Sequence, residues 1–160
     1  MRIIAIDPGY ERLGIAVIEK IEGGKETLLF SECFKTSAKI PFEERLLQIG
    51  DEIKKVIAEY SPTALSIETL FFTNNQKTAM HVSEARGAIT YVAMAEGLKL
   101  YEYTPLQIKV AVTGDGRADK KAVTSMIRRL ITIKNPVEHD DEYDAIACGL
   151  TFFASYKTLK

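Results

Sequence analysis

Short apolar runs separated by turn residues open the chain. The run from Ile3 to Ile6 is rich in β-branched side chains and predicts a strand buried on both faces. Two further strands are predicted at 13–18 and 27–34, and the Gly23-Gly24 pair between them is typical of a hairpin turn. Because only short turns join these strands, we expect an antiparallel meander, with the more polar third strand nearer the edge of the sheet.

From residue 41 onward, apolar side chains recur every three to four positions, which predicts helices. The predicted helices span 41–60, 76–97, 104–112, 118–131 and 141–157. Apolar runs between them predict two more strands, at 64–67 and 100–103. This order predicts an α/β fold in one domain spanning 1–160, with a five-stranded mixed sheet flanked by helices.

Acidic residues directly follow two of the predicted strands. Asp7 ends the first strand and Glu68 ends the fourth. The helix between them allows these strands to pair in parallel, and neighbouring strands lie about 4.8 Å apart. We therefore expect the two carboxylates side by side, although an ionised carboxylate at an apolar strand is costly unless a cation, water or hydrogen bonds compensate it.

A third acidic group begins the last predicted helix, where five acids occur between residues 138 and 144. Asp141 and Asp144 are three positions apart, so they share one helix face. For Asp140 and Glu142 an alternative stays open, because acids favour helix N-termini and one of them can cap the helix. That alternative suits Asp144 less well, because this residue leads directly into the apolar segment that should pack on the sheet.

These acids predict a metal-dependent nuclease. The candidate catalytic residues and metal ligands are Asp7, Glu68, Asp141 and Asp144. Four carboxylates in one pocket repel one another unless cations enter. Two Mg²⁺ ions, about 3.5–4 Å apart, would balance the charge and clamp an in-line phosphoryl displacement. Zinc is less suitable, because His81 and His139 are the only histidines and neither has the spacing of a zinc site.

The formal net charge of −1 gives no global sign of nucleic-acid binding, but the charge is unevenly distributed. Residues 104–135 contain seven basic side chains against two acidic ones. A solvated helix face is one explanation; the other is a basic rim that binds phosphates beside the metal site. The candidates for DNA binding in this run are Lys109, Arg117, Lys120 and Lys121, and we expect Lys109 and Lys120 nearest the scissile phosphate.

Two phenylalanines follow Glu68 in a predicted loop. Phe71 is a candidate for stacking on bases beside the cut site, a contact worth about 1–3 kcal/mol per base. Phe72 better fits a side chain that folds back into the core. The small residues of the 76–97 helix fit either close packing on the sheet or self-association.

Composition and cysteine usage indicate the cellular compartment. With 46% hydrophobic and 27% charged residues, the chain is typical of a globular protein, and no apolar run reaches the ~18 residues needed to span a bilayer. The first residues lead directly into a strand without a signal peptide, and Cys33 and Cys148 lie far apart without metal-type spacing. We therefore expect a cytoplasmic protein with reduced thiols.

Several short segments, spread in order along nearly the whole chain, together match the motifs of one family. They are Ile6-Asp7-Pro8-Gly9 with Gly14, Ile67-Glu68 with Phe71, Glu84-Ala85-Arg86-Gly87, Gln107-Ile108-Lys109-Val110, Lys120, and Asp141-x-x-Asp144-Ala145. This combination resembles the RuvC family of bacterial Holliday junction resolvases. The resemblance implies an RNase H-like fold and a homodimer that places two active sites on a four-way DNA junction. It also implies paired Mg²⁺-dependent nicks of opposite strands. Mn²⁺ is a possible substitute for Mg²⁺ on the chemistry of the carboxylates.

The resemblance further implies residue roles and partners. It matches the four acids to the family's catalytic carboxylates, Lys109 and Lys120 to its basic residues near the scissile phosphate, and Phe71 to its loop aromatic. Some members carry His at the position of Asp141, so the ligand set varies there. The implied partners are the RuvA and RuvB branch-migration proteins, in recombination and repair.

Three other functions are open to the same sequence. A YqgF-type nuclease linked to ribosomal RNA processing shares the first Asp-x-Gly pattern, but we do not expect it to share the Phe71 loop or Lys109. An actin-like ATPase uses an Asp-x-Gly hairpin to bind nucleotide phosphate, but it needs two lobes and the chain is too short for both. A junction-binding protein without catalysis is disfavoured by carboxylates at all four candidate positions.

Overall fold

A computed structural model describes residues 1–69 and 76–156, with only the backbone of Gln76 included. The strands within these ranges are β1 (Arg2–Asp7), β2 (Arg12–Glu19), β3 (Thr27–Lys35), β4 (Ala64–Glu68), β5 (Lys99–Tyr103) and β6 (Thr132–Ile133). The helices are α1 (Phe42–Tyr60), α2 (Gln76–Ala95), α3 (Pro105–Thr113), α4 (Lys120–Leu130) and α5 (Asp140–Tyr156). The predicted helices and strands agree with these bounds to within a few residues.

The strands form one mixed sheet in the order β5-β4-β1-β2-β3-β6 over the described residues. Strands β1, β2 and β3 pair antiparallel as the predicted meander, whereas β1 with β4 and β4 with β5 pair in parallel. The predicted count of five strands is wrong, because Thr132 and Ile133 pair in parallel with Thr27 and Leu28. A strand of two residues is too short to show a period of two, and only its pairing with β3 reveals it.

Strand β1 is buried between two hydrophobic layers, as its apolar run predicts. Ile3 and Ala5 face a core shared with α3, α4 and α5. Ile4 and Ile6 face the opposite core, shared with α1 and α2. Side chains alternate along a strand, so each face of the sheet receives apolar residues from the same short run.

Two glycines allow α5 to lie unusually close to the sheet. A Cβ atom on Gly149 would stand 2.6 Å from Ile18 Cδ1 and 3.0 Å from Ala5 Cβ. A Cβ atom on Gly14 would stand only 2.0 Å from the carbonyl oxygen of Asp141. Gly14 is also the β2 residue paired with Asp7. The first turn of α5 is therefore held beside the carboxyl end of β1.

The start of α5 is fixed by Glu142. This side chain is only 5% exposed, and its Oε1 atom accepts hydrogen bonds from the backbone N–H groups of Glu138, at 3.2 Å, and His139, at 3.0 Å. Its other oxygen accepts a hydrogen bond from the Ser31 hydroxyl. The capping alternative is therefore correct for Glu142, which satisfies donors at the helix N-terminus.

Candidate active site

Three acidic side chains from three different elements line one cavity of about 290 Å³. Asp7 and Glu68 directly follow Ile6 and Ile67, the last pair in the parallel register of β1 and β4. They therefore stand at the same edge of the sheet, as their positions at the strand ends predict. Asp144, from the second turn of α5, completes the acidic wall.

Two lysines face these acids across the cavity. Lys109 projects from α3 and Lys120 from the first turn of α4, and both line the same cavity as the acids. The Nζ atom of Lys120 donates a hydrogen bond to Oδ2 of Asp144 at 3.1 Å. The cavity thus combines carboxylates with cations that can bind a phosphate.

Burial and mutual repulsion raise the pKa values of two of the acids to about 7. The pKa of Asp7 is raised from 3.8 to about 7 in total. Burial is the largest cause, the charges of Asp144, Glu68 and Asp141 add to it, and the charge of Lys120 opposes it. Burial, followed by the charge of Asp144, raises the pKa of Glu68 from 4.5 to about 7. A positive charge added beside Asp7 and Glu68 would stabilise their ionised forms, so the site favours binding of a cation.

Asp141 lies one helical turn before Asp144, but it does not line the cavity. The Nε atom of Arg12 donates a hydrogen bond to Oδ2 of Asp141 at 2.9 Å, and a second donor of the same guanidinium contacts this oxygen. The thiol of Cys33 lies 3.5 Å from the same oxygen. Burial alone would raise the pKa of Asp141, but the hydrogen bonds and charge of Arg12 outweigh it and leave the pKa lowered.

The donor set fits a hard divalent cation. Oxygen ligands and water suit Mg²⁺ and Mn²⁺, and a cation would offset the unfavourable ionisation of Asp7 and Glu68. Within the described residues, no three acidic, histidine or cysteine side chains are already grouped closely enough to hold a metal. His81 stacks on Phe42 with ring centroids 4.0 Å apart, and His139 lies 3.4 Å from the Nζ atom of Lys35. Neither histidine lines the cavity.

The other predicted DNA-binding residues either do not line this cavity or fall outside the described residues. Lys121 is exposed on α4, next to Lys120, and Arg117 is exposed in the turn before α4. Phe71 and Phe72 fall outside the described residues, so the stacking role of Phe71 stays a prediction.

Three residues near the site, Arg12, Gly14 and Arg86, make contacts that the sequence did not predict. Arg12 holds Asp141, and Gly14 lets α5 approach β2. Arg86 donates from Nε to the backbone carbonyl of Glu68 at 3.3 Å and also pairs with Glu102. Arg86 belongs to a segment that carried the family resemblance, which was the only signal for it. Arg12 carried none, because its partner lies 129 positions away.

Comparison with known proteins decides the family. The family model for the crossover junction endodeoxyribonuclease RuvC matches residues 3–152. The chain belongs to the RuvC family. A crossover junction endodeoxyribonuclease RuvC from Alkaliphilus metalliredigens is 44% identical over 150 residues, which cover 94% of this chain and 91% of the relative. A second RuvC, from Desulfitobacterium hafniense, is 41% identical over 94% of this chain and 90% of its own length.

Solved RuvC structures share the fold. The RuvC of T. thermophilus in complex with a Holliday junction substrate superposes with a TM-score of 0.92 at 32% identity, covering 99% of this chain and 96% of that one. RuvC-family proteins are metal-dependent endodeoxyribonucleases with an RNase H-like fold, and this chain is a nuclease of that family. In the described part of the chain, no helix combines the length and hydrophobicity needed to cross a bilayer.

Proposed function

We propose that this RuvC-family nuclease resolves four-way DNA junctions through paired nicks, with its active site in the Asp7 cavity. The observation that carries the proposal is the meeting of Asp7, Glu68 and Asp144 in one cavity with two lysines. The relative bound to a Holliday junction supports the choice of substrate. We further propose that two Mg²⁺ ions, for which Mn²⁺ can substitute, bind these three carboxylates together with Asp141.

The roles of the acids follow from their surroundings. Mg²⁺ bound at this site supplies Lewis-acid polarisation of the phosphate and of the attacking water. Asp7 and Glu68, with pKa values raised to about 7 chiefly by burial, are partly protonated at neutral pH in the free protein and would release those protons to hold a cation. Asp141 would hold the metal together with the other acids once its carboxylate is free of Arg12, whose half-exposed side chain could turn toward solvent or DNA.

The lysines position the scissile phosphate. Lys120 neutralises Asp144 in the free protein and can transfer its hydrogen bonds to a phosphate oxygen as Asp144 turns to a cation. Lys109 binds the same phosphate from α3. Arg117 and Lys121 extend this contact to neighbouring phosphates, and Phe71 stacks on a base beside the cut.

The proposed partner is a second copy of the chain, which would bind to the outward face of α2. Its outward face carries large apolar side chains that are unusually exposed: Tyr91 at 75%, Met80 at 63% and Met94 at 53%. Leu47, on the neighbouring α1, adds another at 64%. A homodimer through this face would bury that surface and place two active sites on one junction. We also propose action in the cytoplasm with the RuvA and RuvB branch-migration proteins, which the family resemblance supports.

Cleavage of a synthetic four-way junction tests the proposal. With each strand labelled in turn, we expect paired nicks in opposite strands that require Mg²⁺ and are absent from a linear duplex of the same sequence. Asp7→Asn should retain junction binding and lose cutting, because it removes a metal ligand and keeps the basic residues. Equal cutting of the linear duplex, or full cutting by Asp7→Asn, would overturn the proposal.

A further inference from the structure

A second cavity, of about 620 Å³, runs along α4 beside the candidate active site. We call it the α4 groove. Its charged lining residues are Lys120, Lys121, Arg128, Arg129 and Asp140. Four cations against one acid give the groove a local net charge of +3, although the whole chain carries −1.

The α4 groove adjoins the active-site cavity at Lys120. Lys120 lines both spaces, so a strand whose phosphate sits at Lys120 can continue directly into the groove. Eight residues separate Lys120 from Arg128, which is about 12 Å along a helix. A strand of B-form DNA advances about 3.4 Å per nucleotide, so this length corresponds to three or four nucleotides.

The cations of the groove are available for an external anion. Among the described residues, no acidic side chain lies within ion-pair distance of Lys121 or Arg129. Arg128 is oriented by the Tyr143 hydroxyl, which accepts hydrogen bonds from its Nη2 at 2.9 Å and its Nε at 3.2 Å. A guanidinium fixed in this way loses little freedom when it binds a phosphate with its remaining donors.

Hydroxyl groups complete the lining. Thr124 and Ser125 lie on α4 between the two pairs of cations. Hydroxyls donate to phosphate oxygens without adding charge, and they are common partners of the DNA backbone. No aromatic side chain is among the described residues that line the groove, so it offers no ring on which a base could stack and suits the backbone of a strand better than its bases.

We propose that the α4 groove binds the phosphodiester backbone of the cleaved strand, over the nucleotides next to the scissile phosphate. This inference rests on the proposed function and adds a second binding region to it. The groove fixes the register of the strand, so that one phosphate is presented to the carboxylates. Lys121 and Arg129 hold the strand through contacts that do not depend on base sequence.

The salt dependence of binding tests the charge contribution of the groove. The test variant is Lys121→Gln with Arg129→Gln, both exposed side chains on α4. The matched control is Lys54→Gln with Lys99→Gln, which removes the same charge from α1, on the other face of the sheet, and from the first residue of β5, at the opposite edge. The affinity for a synthetic four-way junction is measured without Mg²⁺ at several salt concentrations.

We expect the test variant to lower the salt slope by about two for each bound protomer, hence by about four for a homodimer on one junction, and the control to leave it near that of the wild type. Between about 50 and 200 mM salt, the variant homodimer should therefore lose roughly a hundredfold less affinity than the wild type. A slope equal to that of the wild type, or the same change in the control, would overturn the inference. Cutting by the wild type in Mg²⁺ shows in the same preparation that such a failure concerns the groove and not the nuclease function.

Neutral phosphates identify the strand that lies in the groove. Methylphosphonates are placed one at a time at the phosphates flanking the cut site of the cleaved strand. The wild type should lose affinity at two or three consecutive positions on one side of the cut, and the test variant should be insensitive at those positions. Equal losses in both proteins at every position would show that the groove does not hold the cleaved strand.

Discussion

Replacing Asp7 by Asn should stabilise the metal-free protein at alkaline pH while it abolishes cutting. In the folded chain the pKa of Asp7 is raised from 3.8 to about 7, chiefly by burial. Between these two values the folded protein holds a proton that the unfolded chain has released, so its stability falls as pH rises through this window. Above about pH 7, the ionised carboxylate is a net cost that the neutral amide of Asn avoids.

The magnitude follows from the size of the pKa change. A pKa raised from 3.8 to about 7 corresponds to roughly 4 kcal/mol against ionisation if Asp7 acted alone. Part of that cost belongs to repulsion by Glu68 and Asp144, which can take up protons instead, so we expect about 1–2 kcal/mol for the single substitution. In a chain of 160 residues this corresponds to a Tm about 3–6 °C higher.

Thermal unfolding over a range of pH provides the assay. With a chelator present at about pH 8, Asp7→Asn should melt above the wild type, and the difference should disappear near pH 4, where the carboxyl is protonated. Added Mg²⁺ should raise the Tm of the wild type more than that of the variant, because binding to the folded state stabilises it. Asp51→Asn, at an exposed position on α1, is the control and should change stability by less than about 0.5 kcal/mol.

An unchanged or lower Tm for Asp7→Asn at alkaline pH would refute the reasoning. It would mean that the ionised carboxylate already has adequate compensation in the free protein. The site would then have no electrostatic need for a cation at Asp7, and the metal would have to be held mainly by the other acids.

Three further predictions concern the surroundings of the site. Arg12→Ala should release Asp141 and lower the Mg²⁺ concentration needed for half-maximal thermal stabilisation; an unchanged midpoint would show that the ion pair does not restrain Asp141. Gly14→Ala should cost roughly 2–4 kcal/mol, measured by denaturant unfolding, and should reduce cutting, because its Cβ would stand 2.0 Å from a backbone oxygen of α5. The control Gly50→Ala, whose Cβ would meet a side-chain atom at 3.6 Å, should not destabilise the fold. Phe71→Ala should slow cutting more than it weakens junction binding, and equal losses in both would rule out stacking beside the cut.

The sequence predicts the parts of this fold that depend on local patterns. The four apolar residues from Ile3 to Ile6 predict a strand buried on both faces, and its ends place Asp7 beside Glu68 because β1 and β4 run in parallel. The capping alternative for Glu142 also follows from position alone, since acids favour the first turn of a helix.

What the sequence does not predict depends on contacts between distant residues. Asp141 and Asp144 share a helix face, yet only Asp144 lines the cavity, because Arg12 and Cys33 take up the Asp141 carboxylate. Helical spacing predicts that two side chains share one face, but it does not predict which cation of a neighbouring strand, here Arg12 of β2, will contact one of them. The α4 groove is a similar case: the basic run is visible in the sequence, but the position of the groove beside the cavity depends on how α4 packs against α5.

Charge balance in the free protein links metal binding to DNA binding. Two carboxylates pair with cations of the same chain, Asp141 with Arg12 and Asp144 with Lys120, and the pKa values of Asp7 and Glu68, raised to about 7 chiefly by burial, leave those groups only partly ionised in neutral solution. In the proposed site, a divalent cation bound by all four carboxylates would release both basic side chains, which are exposed and could bind phosphate. A phosphate that captures Lys120 leaves Asp144 in need of a cation in the same way. On this proposal, metal and DNA would favour each other's binding by the same factor, because such a coupling is reciprocal.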